Sequence, residues 1–390
     1  MDGRKNSKKI QFCDSNGKIL KKAEITFNQI QHEFLFGCNA FVLAEIVKKD
    51  GDKAAENPLV QKFLDVFNYA TLPFYIGTFE KEEGKPITSD MKKVTAFLNK
   101  NDVVCKGHPL CWHTVCAPWL LKYDNKTILE KQLARIRRDV GDFKDDVGIW
   151  DAINEVVIMP YFDRYDNAVT RICREYGQIN LVKMIFDECH KSNPDAVFLI
   201  NDFNMSEDYE KLITKCLDEG IKINAIGLQS HQHQGYWGLE KLNRVLTRFE
   251  KFGLPIHFTE NTFVSGELVP PEIMDLNDFM YEDDATTPEG EERQALWLKE
   301  FYTEIFENHP MVKAITNWDF SDGAWLNAPS GLLRRDGIAK PAYFALKELV
   351  KEKWHSQGKI KTDENGFAEI SGFKGKYEWS CNSEKGKFVL

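Results

Sequence analysis

From about residue 34 to residue 353 the chain alternates short apolar runs with longer segments whose apolar positions recur at helical spacing. Eight of the short runs read as strands: Phe34–Ala40, Asn68–Ile76, Val103–His113, Val147–Asn154, Ala196–Asn201, Ala225–His231, Pro255–Glu260 and Val312–Trp318. A helical stretch follows each one, at Lys53–Phe67, Ser89–Lys100, Thr127–Phe143, Val169–Ser192, Ser206–Glu219, Leu239–Phe252, Glu289–Asn308 and Pro341–Lys353. In the third, Ile128, Leu133, Ile136 and Val140 recur near the helical period with charges between them. Ser89, ahead of Met91, reads as an N-cap, and Gly220 and Gly253 as glycines that end helices. Eight strand–helix units in one stretch predict a (β/α)8 barrel, the TIM-barrel form of the α/β class. An open doubly wound sheet competes less well, because no Gly-rich phosphate loop follows any strand.

The two ends alternate with period two instead. Lys9–Ile30 does so around Asp14-Ser-Asn-Gly, and Lys359–Leu390 around Asp363-Glu-Asn-Gly. Asn-Gly between alternating runs is a hairpin signal. The expected division is therefore a barrel over 34–353 and a small accessory β-module built from 1–33 and 354–390. Long insertions at Met159–Ala168 and Val264–Gly290 follow the fourth and seventh strands, where loops flank an active site.

Composition narrows the partners. Hydrophobic content of 43% and charged content of 28% describe a globular chain, and no run reaches the length of a membrane span. A net charge of −9 argues against nucleic acid and anionic lipid, and leaves a neutral polymer such as a polysaccharide compatible. A monomer is expected. The nine cysteines include no CxxC pair, so free, mostly buried thiols are expected. The opening Met1–Lys9 is polar and unlike a secretory leader. The compartment stays open: secreted, periplasmic or cell-surface if a leader was trimmed, cytoplasmic otherwise.

Two glutamates close strand-like runs, Glu155 after Val147–Asn154 and Glu260 after Leu254-Pro-Ile-His-Phe-Thr. Carboxyls at the carboxyl ends of barrel strands are where such folds place reactive groups. Two converging on one cleft suffice to cleave a glycosidic bond, one protonating the leaving oxygen while the other attacks the anomeric carbon or activates water. Each alone would more often be a solvated loop acid. Their neighbours raise the expectation. Asn154 precedes Glu155, and the third strand ends with His108, Trp112 and His113. Gln229 and His231 share a face of the sixth strand, while Trp318 closes the eighth and Trp325 follows it. His231 with His233 is a weak zinc pattern, and no metal or organic cofactor is expected. Like-charge repulsion from Glu260 is expected to keep the acid protonated.

The ordered motifs GHPLCWHT, WDAINE, GLQSH, FTE, NWDFSDGAW and KPAY, between Phe36 and Leu346, resemble glycoside hydrolase family ten, the endo-β-1,4-xylanase family of retaining (β/α)8 barrels. The resemblance implies an endo-acting hydrolase of xylan or a xylan-like chain, with Glu155 as acid/base and Glu260 as nucleophile. It also implies that Asn154, His108, Gln229 and His231 surround the cleaved sugar, and that Trp112, Trp318 and Trp325 wall the subsites on its non-reducing side. The terminal strands, with GFKGKYEW, resemble those flanking the barrel in some atypical members. Two positions depart from the family. Thr71-Leu-Pro-Phe-Tyr-Ile-Gly stands where a Glu-Asn…Lys motif usually holds the non-reducing sugars, and Thr262 stands where an Asp usually follows the nucleophile. A hydrolase of a different or modified β-linked glycan, or a carbohydrate-binding barrel without activity, therefore remain alternatives.

Overall fold

The computed structural model describes residues 3–390. Eight parallel strands close into a barrel: β3 (Leu35–Asn39), β4 (Tyr69–Pro73), β5 (Val104–His108), β6 (Val147–Asn154), β7 (Val197–Asp202), β8 (Ala225–Gln232), β9 (Ile256–Phe263) and β10 (Val312–Asn317). Helices join successive strands, and β10 returns to pair with β3, so the sheet has no edge. This is the (β/α)8 barrel expected from the alternation of apolar runs. β9 runs on past Glu260 to Phe263, which puts the glutamate inside the strand, not at its end. β5 stops at His108, so Trp112 and His113 sit on the turn beyond it.

The strand interiors explain why this barrel carries a polar mouth. Tyr69, Ile149, Leu199, Ala225 and Ala314 pack as an apolar layer, with Val104 beside them. Two residues further along, on the same face by the strand period, stand Thr71, Asp151, Asn201, Gly227, Thr316 and Lys106. The apolar layer therefore gives way abruptly to a polar one. Lys106 Nζ lies 2.7 Å from Asp151 Oδ2, and both side chains are fully buried. Burial pushes the Asp151 carboxyl up, but the charge of Lys106 and the bond from His108 outweigh it and hold it below its ordinary value. Removing one partner of such a pair strands the other charge. Lys106→Met should therefore cost about 3–5 kcal/mol in chemical denaturation. A loss under about 1 kcal/mol would mean that Asp151 is neutral in the fold.

Several local expectations are corrected. Phe41–Asp50 forms a helix that the apolar spacing did not announce, ending at Gly51. The stretch 169–192 is two helices, Ala168–Tyr176 and Gln178–Ser192, parted at Gly177, whose φ of 82° interrupts the helical ladder. Ser89 lies inside the helix Thr88–Lys100 and caps nothing, since the N-cap position is Ile87 without a side-chain bond. The expected helix at 53–67 is a 3-10 turn, Gly51–Glu56, and then Pro58–Val66, started by Asn57 and Pro58.

The termini form two antiparallel sheets, and the Asn-Gly turns do something other than close hairpins. β1 (Lys5–Gln11) pairs with β12 (Phe367–Phe373). β2 (Glu24–His32) lies in a second sheet of order β11-β2-β13-β14, with β11 (Gln357–Lys361), β13 (Gly375–Cys381) and β14 (Glu384–Val389). Each Asn-Gly turn thus carries the chain from one sheet to the other, and β1 and β2 pair only with strands from the far end of the sequence, while β13 and β14 form a local hairpin. Phe12, Ile25, Ala368, Ile370 and Tyr377 fill the space between the sheets. The sheets sit against the strand starts of the barrel: Asn68 Nδ2, just ahead of β4, donates to His32 O at 3.0 Å, and Arg4 Nη2 donates to His309 O, shortly before β10, at 2.9 Å. The nine cysteines are free thiols, seven of them buried. Among the described residues no helix is long and apolar enough to cross a membrane, and no group of three or more His, Cys, Asp or Glu is arranged to hold a metal.

Candidate active site

All ten residues singled out in the sequence meet at the carboxyl end of the barrel. Glu155 follows β6 with φ 55°, a left-handed conformation that costs a non-glycine residue about 1 kcal/mol or more. Its N–H donates to Asn201 O at 2.8 Å. That twist resolves the strand alternation: Asn154 and Glu155, adjacent in sequence, both face the mouth. Glu155 Oε2 accepts from the Trp112 indole at 2.8 Å, and Oε1 lies 3.4 Å from Gln229 Nε2 and 3.5 Å from Asn154 Nδ2. His113 Nε2 stands 3.9 Å from Oε2, its ring packed 4.5 Å from that of Phe162 on the insertion after β6.

Glu260 is reached from three strands. His231 Nε2 lies 3.1 Å from Oε2, Asn201 Nδ2 donates to Oε1 at 3.2 Å, and His108 Nε2 is 3.9 Å from Oε1. His108 is oriented from behind, since its Nδ1 donates to Asp151 Oδ2 at 2.6 Å. Burial pushes the His231 imidazole down to about 3, so it is neutral and has one N–H to give. Donation from Nε2 to the Glu260 carboxylate leaves Nδ1 as an acceptor, and Thr262 Oγ1, 3.3 Å away, is a hydroxyl able to donate to it. Thr262 is thus compatible with a neutral His231, where an aspartate would call for a second ring proton.

Asn201 ties the two halves together. Its Nδ2 donates to Asn154 Oδ1 at 2.8 Å as well as to Glu260, and its Oδ1 accepts from Thr259 Oγ1 at 2.6 Å. Gln229 Nε2 also donates to Asn154 Oδ1, at 3.0 Å. Gly227 makes room for this: a Cβ there would collide with the Asn201 amide. Asn201, Asp202, Asp151, Lys106 and Tyr75 also belong to the site, although the sequence alone assigns none of them a role there. The available signal was the polar close of Phe198-Leu-Ile-Asn-Asp, which repeats the pattern of the strands that were noticed.

Both carboxyls are hard to ionise, and the cause differs from the one expected. Glu155 is pushed up to about 8 first by burial. The charge of Asp202 and then that of Glu260 add to it, while the Trp112 indole works against it. Like-charge repulsion from Glu260 is therefore a secondary contribution. Burial likewise raises Glu260 to about 7, opposed by His108, Lys106 and the Asn201 bond. The Trp112 bond favours the ionised form of Glu155, so its loss must raise that group further. In Trp112→Phe the alkaline limb of kcat/KM should move up by about one pH unit. An unmoved or lowered limb would detach that limb from Glu155.

Aromatic rings complete the mouth. Trp318 packs edge-on to His108 at 5.2 Å and His231 at 6.2 Å, and Trp325 lies 4.5 Å from His231. The two insertions meet across Arg164, which pairs with Asp275 at 3.0 Å and Asp278 at 2.8 Å.

A (β/α)8 barrel that presents two buried carboxyls among amides, imidazoles and indoles has the architecture of a glycoside hydrolase. Residues 75–349 match the family model for Glycosyl hydrolase family 10, and the chain belongs to that family. Endo-1,4-β-xylanase B of Thermotoga neapolitana is 28% identical over 299 residues, 71% of this chain and 78% of that protein. Endo-1,4-β-xylanase C of Paenibacillus barcinonensis is 24% identical over 331 residues, 74% of this chain but 29% of a longer protein. Among solved structures, xylanase 10B of Thermotoga petrophila in complex with xylobiose superposes with a TM-score of 0.66 at 22% identity, covering 82% of this chain and 95% of that one.

Proposed function

We propose that this chain is a retaining, endo-acting hydrolase of β-1,4-linked xylan or a xylan-like polysaccharide, with Glu155 as acid/base and Glu260 as nucleophile. The observation that carries the reading is the shared amide network. Asn201 Nδ2 reaches Asn154 and Glu260, while Gln229 Nε2 reaches Asn154 and Glu155, so the two carboxyls belong to one network of amides joined at Asn154.

The roles follow from the surroundings. Glu155, raised by burial and by the charges of Asp202 and Glu260, keeps its proton for the departing oxygen, whereas His108, Lys106 and Asn201 favour the ionised form of Glu260. Glu260, ionised and held by His231 and Asn201, attacks the anomeric carbon to give a covalent glycosyl-enzyme. Glu155, now a carboxylate, takes a proton from water, which displaces Glu260 and restores the starting configuration. Asn154 has its oxygen occupied by two donors, and its NH2 group, one hydrogen of which goes to Glu155, has the other to hold a hydroxyl of the cleaved sugar. His108 Nε2 stands beside Glu260 for a second hydroxyl, His113 packs beside Glu155, and Trp112, Trp318 and Trp325 supply flat apolar walls. The barrel of residues 34–353 would do this work as a monomer, with 1–33 and 354–390 as an accessory module.

Purified protein incubated separately with β-1,4-xylan and with β-glucans should release reducing ends from xylan. The first product seen by NMR should carry the β-anomer. An α-anomer would replace displacement by direct attack of water, and binding without cleavage would leave a carbohydrate-binding barrel.

A further inference from the structure

The barrel mouth is divided by chemistry. The amides and carboxyls stand on β6 to β9, whereas the ends of β10, β3, β4 and β5 bring four rings together. Tyr75 meets Phe41 at 5.9 Å and 89°, and Phe41 meets Trp318 at 5.7 Å and 77°. Trp318 meets His108 at 5.2 Å and 76°, and His108 meets Tyr75 at 5.4 Å and 88°. These contacts close a pinwheel of edge-to-face rings, a favourable arrangement for aromatic pairs. Phe41 and Tyr75 are its half-buried members, whereas Trp318 and His108 are buried. Tyr75 also lies 5.6 Å from Trp112, the residue that bonds Glu155. Burial first, and then the charges of Glu260 and Glu155, push the Tyr75 phenol up and keep it neutral. The corner therefore adjoins the reacting groups and offers C–H-binding surface where a sugar-reading site would offer amides and charges.

We infer that Phe41 and Tyr75 form an apolar platform for the sugar next to the one cleaved, and that the platform admits a β-linked chain whose hydroxyls there carry O-acyl groups. This rests on the hydrolase reading above. A site that hydrogen-bonds hydroxyls rejects a substrate in which they are blocked, because buried partners are left unpaired. Stacking on rings has no such partners to lose, and an acetyl group adds apolar surface to bury.

The test compares acetylated xylo-oligosaccharides with the same material deacetylated by mild alkali. An aryl β-xyloside that needs only the cleaved sugar serves as reference. Turnover of the aryl xyloside checks hydrolysis itself, so its failure is distinct from failure of the platform. The acetylated chains should be cleaved at least as fast as the deacetylated ones. Phe41→Ala should raise KM for the acetylated chains about tenfold relative to the aryl xyloside, the scale of one lost aromatic contact. Phe41→Leu, which keeps the corner filled, controls for folding and should give an intermediate rise. Slower cleavage of the acetylated chains, or a KM ratio unmoved by Phe41→Ala, would overturn the inference.

Discussion

Glu260→Ala should stop hydrolysis of xylan, with kcat lowered about 10⁵-fold, the order expected when a covalent nucleophile is removed. The protein should remain folded. Glu260 is buried and raised toward neutral pH by that burial, so removing the carboxyl also removes a desolvated group. The space it leaves, lined by His231, Asn201 and His108, suits a small anion. Azide added to the variant with an activated aryl xyloside should restore turnover and yield a glycosyl azide of α configuration. The anion would then attack from the face the carboxylate had occupied, and no second displacement follows. A β-configured azide, or an alanine variant retaining more than about 1% of activity, would take Glu260 out of the nucleophile's place.

The barrel was legible because its signal is repetitive and long-range order adds little to it. Eight apolar runs, buried on both faces, can only be central strands of a parallel sheet. Glu155 and Glu260 were legible through their company: each alone reads as a solvated loop acid, but amides, imidazoles and indoles close the same apolar runs. The misses have particular causes. The Asn-Gly turns promised hairpins, but β1 and β12, and β2 and β11, are each about a whole chain length apart in sequence, and no local pattern states such a pairing. Asn201 was overlooked because its work depends on Gly227, one strand away, leaving room for its amide. Tyr75 was recorded only as an absence of polar groups. Its significance lies in the rings of Phe41, His108 and Trp112, from other parts of the barrel mouth, that meet it, and ring-to-ring angles are not written in any single segment.

Glu155→Gln should separate substrates by leaving group. On xylan, whose leaving oxygen needs a proton, kcat should fall about 10⁴-fold, the upper range for general acid catalysis. On a dinitrophenyl xyloside the first step needs no proton, so the covalent intermediate should still form and then accumulate, because no base remains to activate water. The expected trace is a burst of one phenolate per enzyme followed by slow turnover. Azide, which needs no base, should speed the second phase and give a glycosyl azide of β configuration, opposite to that from Glu260→Ala. The pH profile supplies an independent check. In the native protein Glu155 must be protonated and Glu260 ionised, so activity rises as Glu260 loses its proton and falls as Glu155 loses its own near pH 8. Glutamine does not titrate, so burst formation should keep the acidic limb and lose the alkaline one. Equal loss on both substrates, or an alkaline limb that survives the substitution, would place the proton donor elsewhere. Asp202 would then come first, since it is buried, raised to about 7, and the largest charged contributor to the elevation of Glu155.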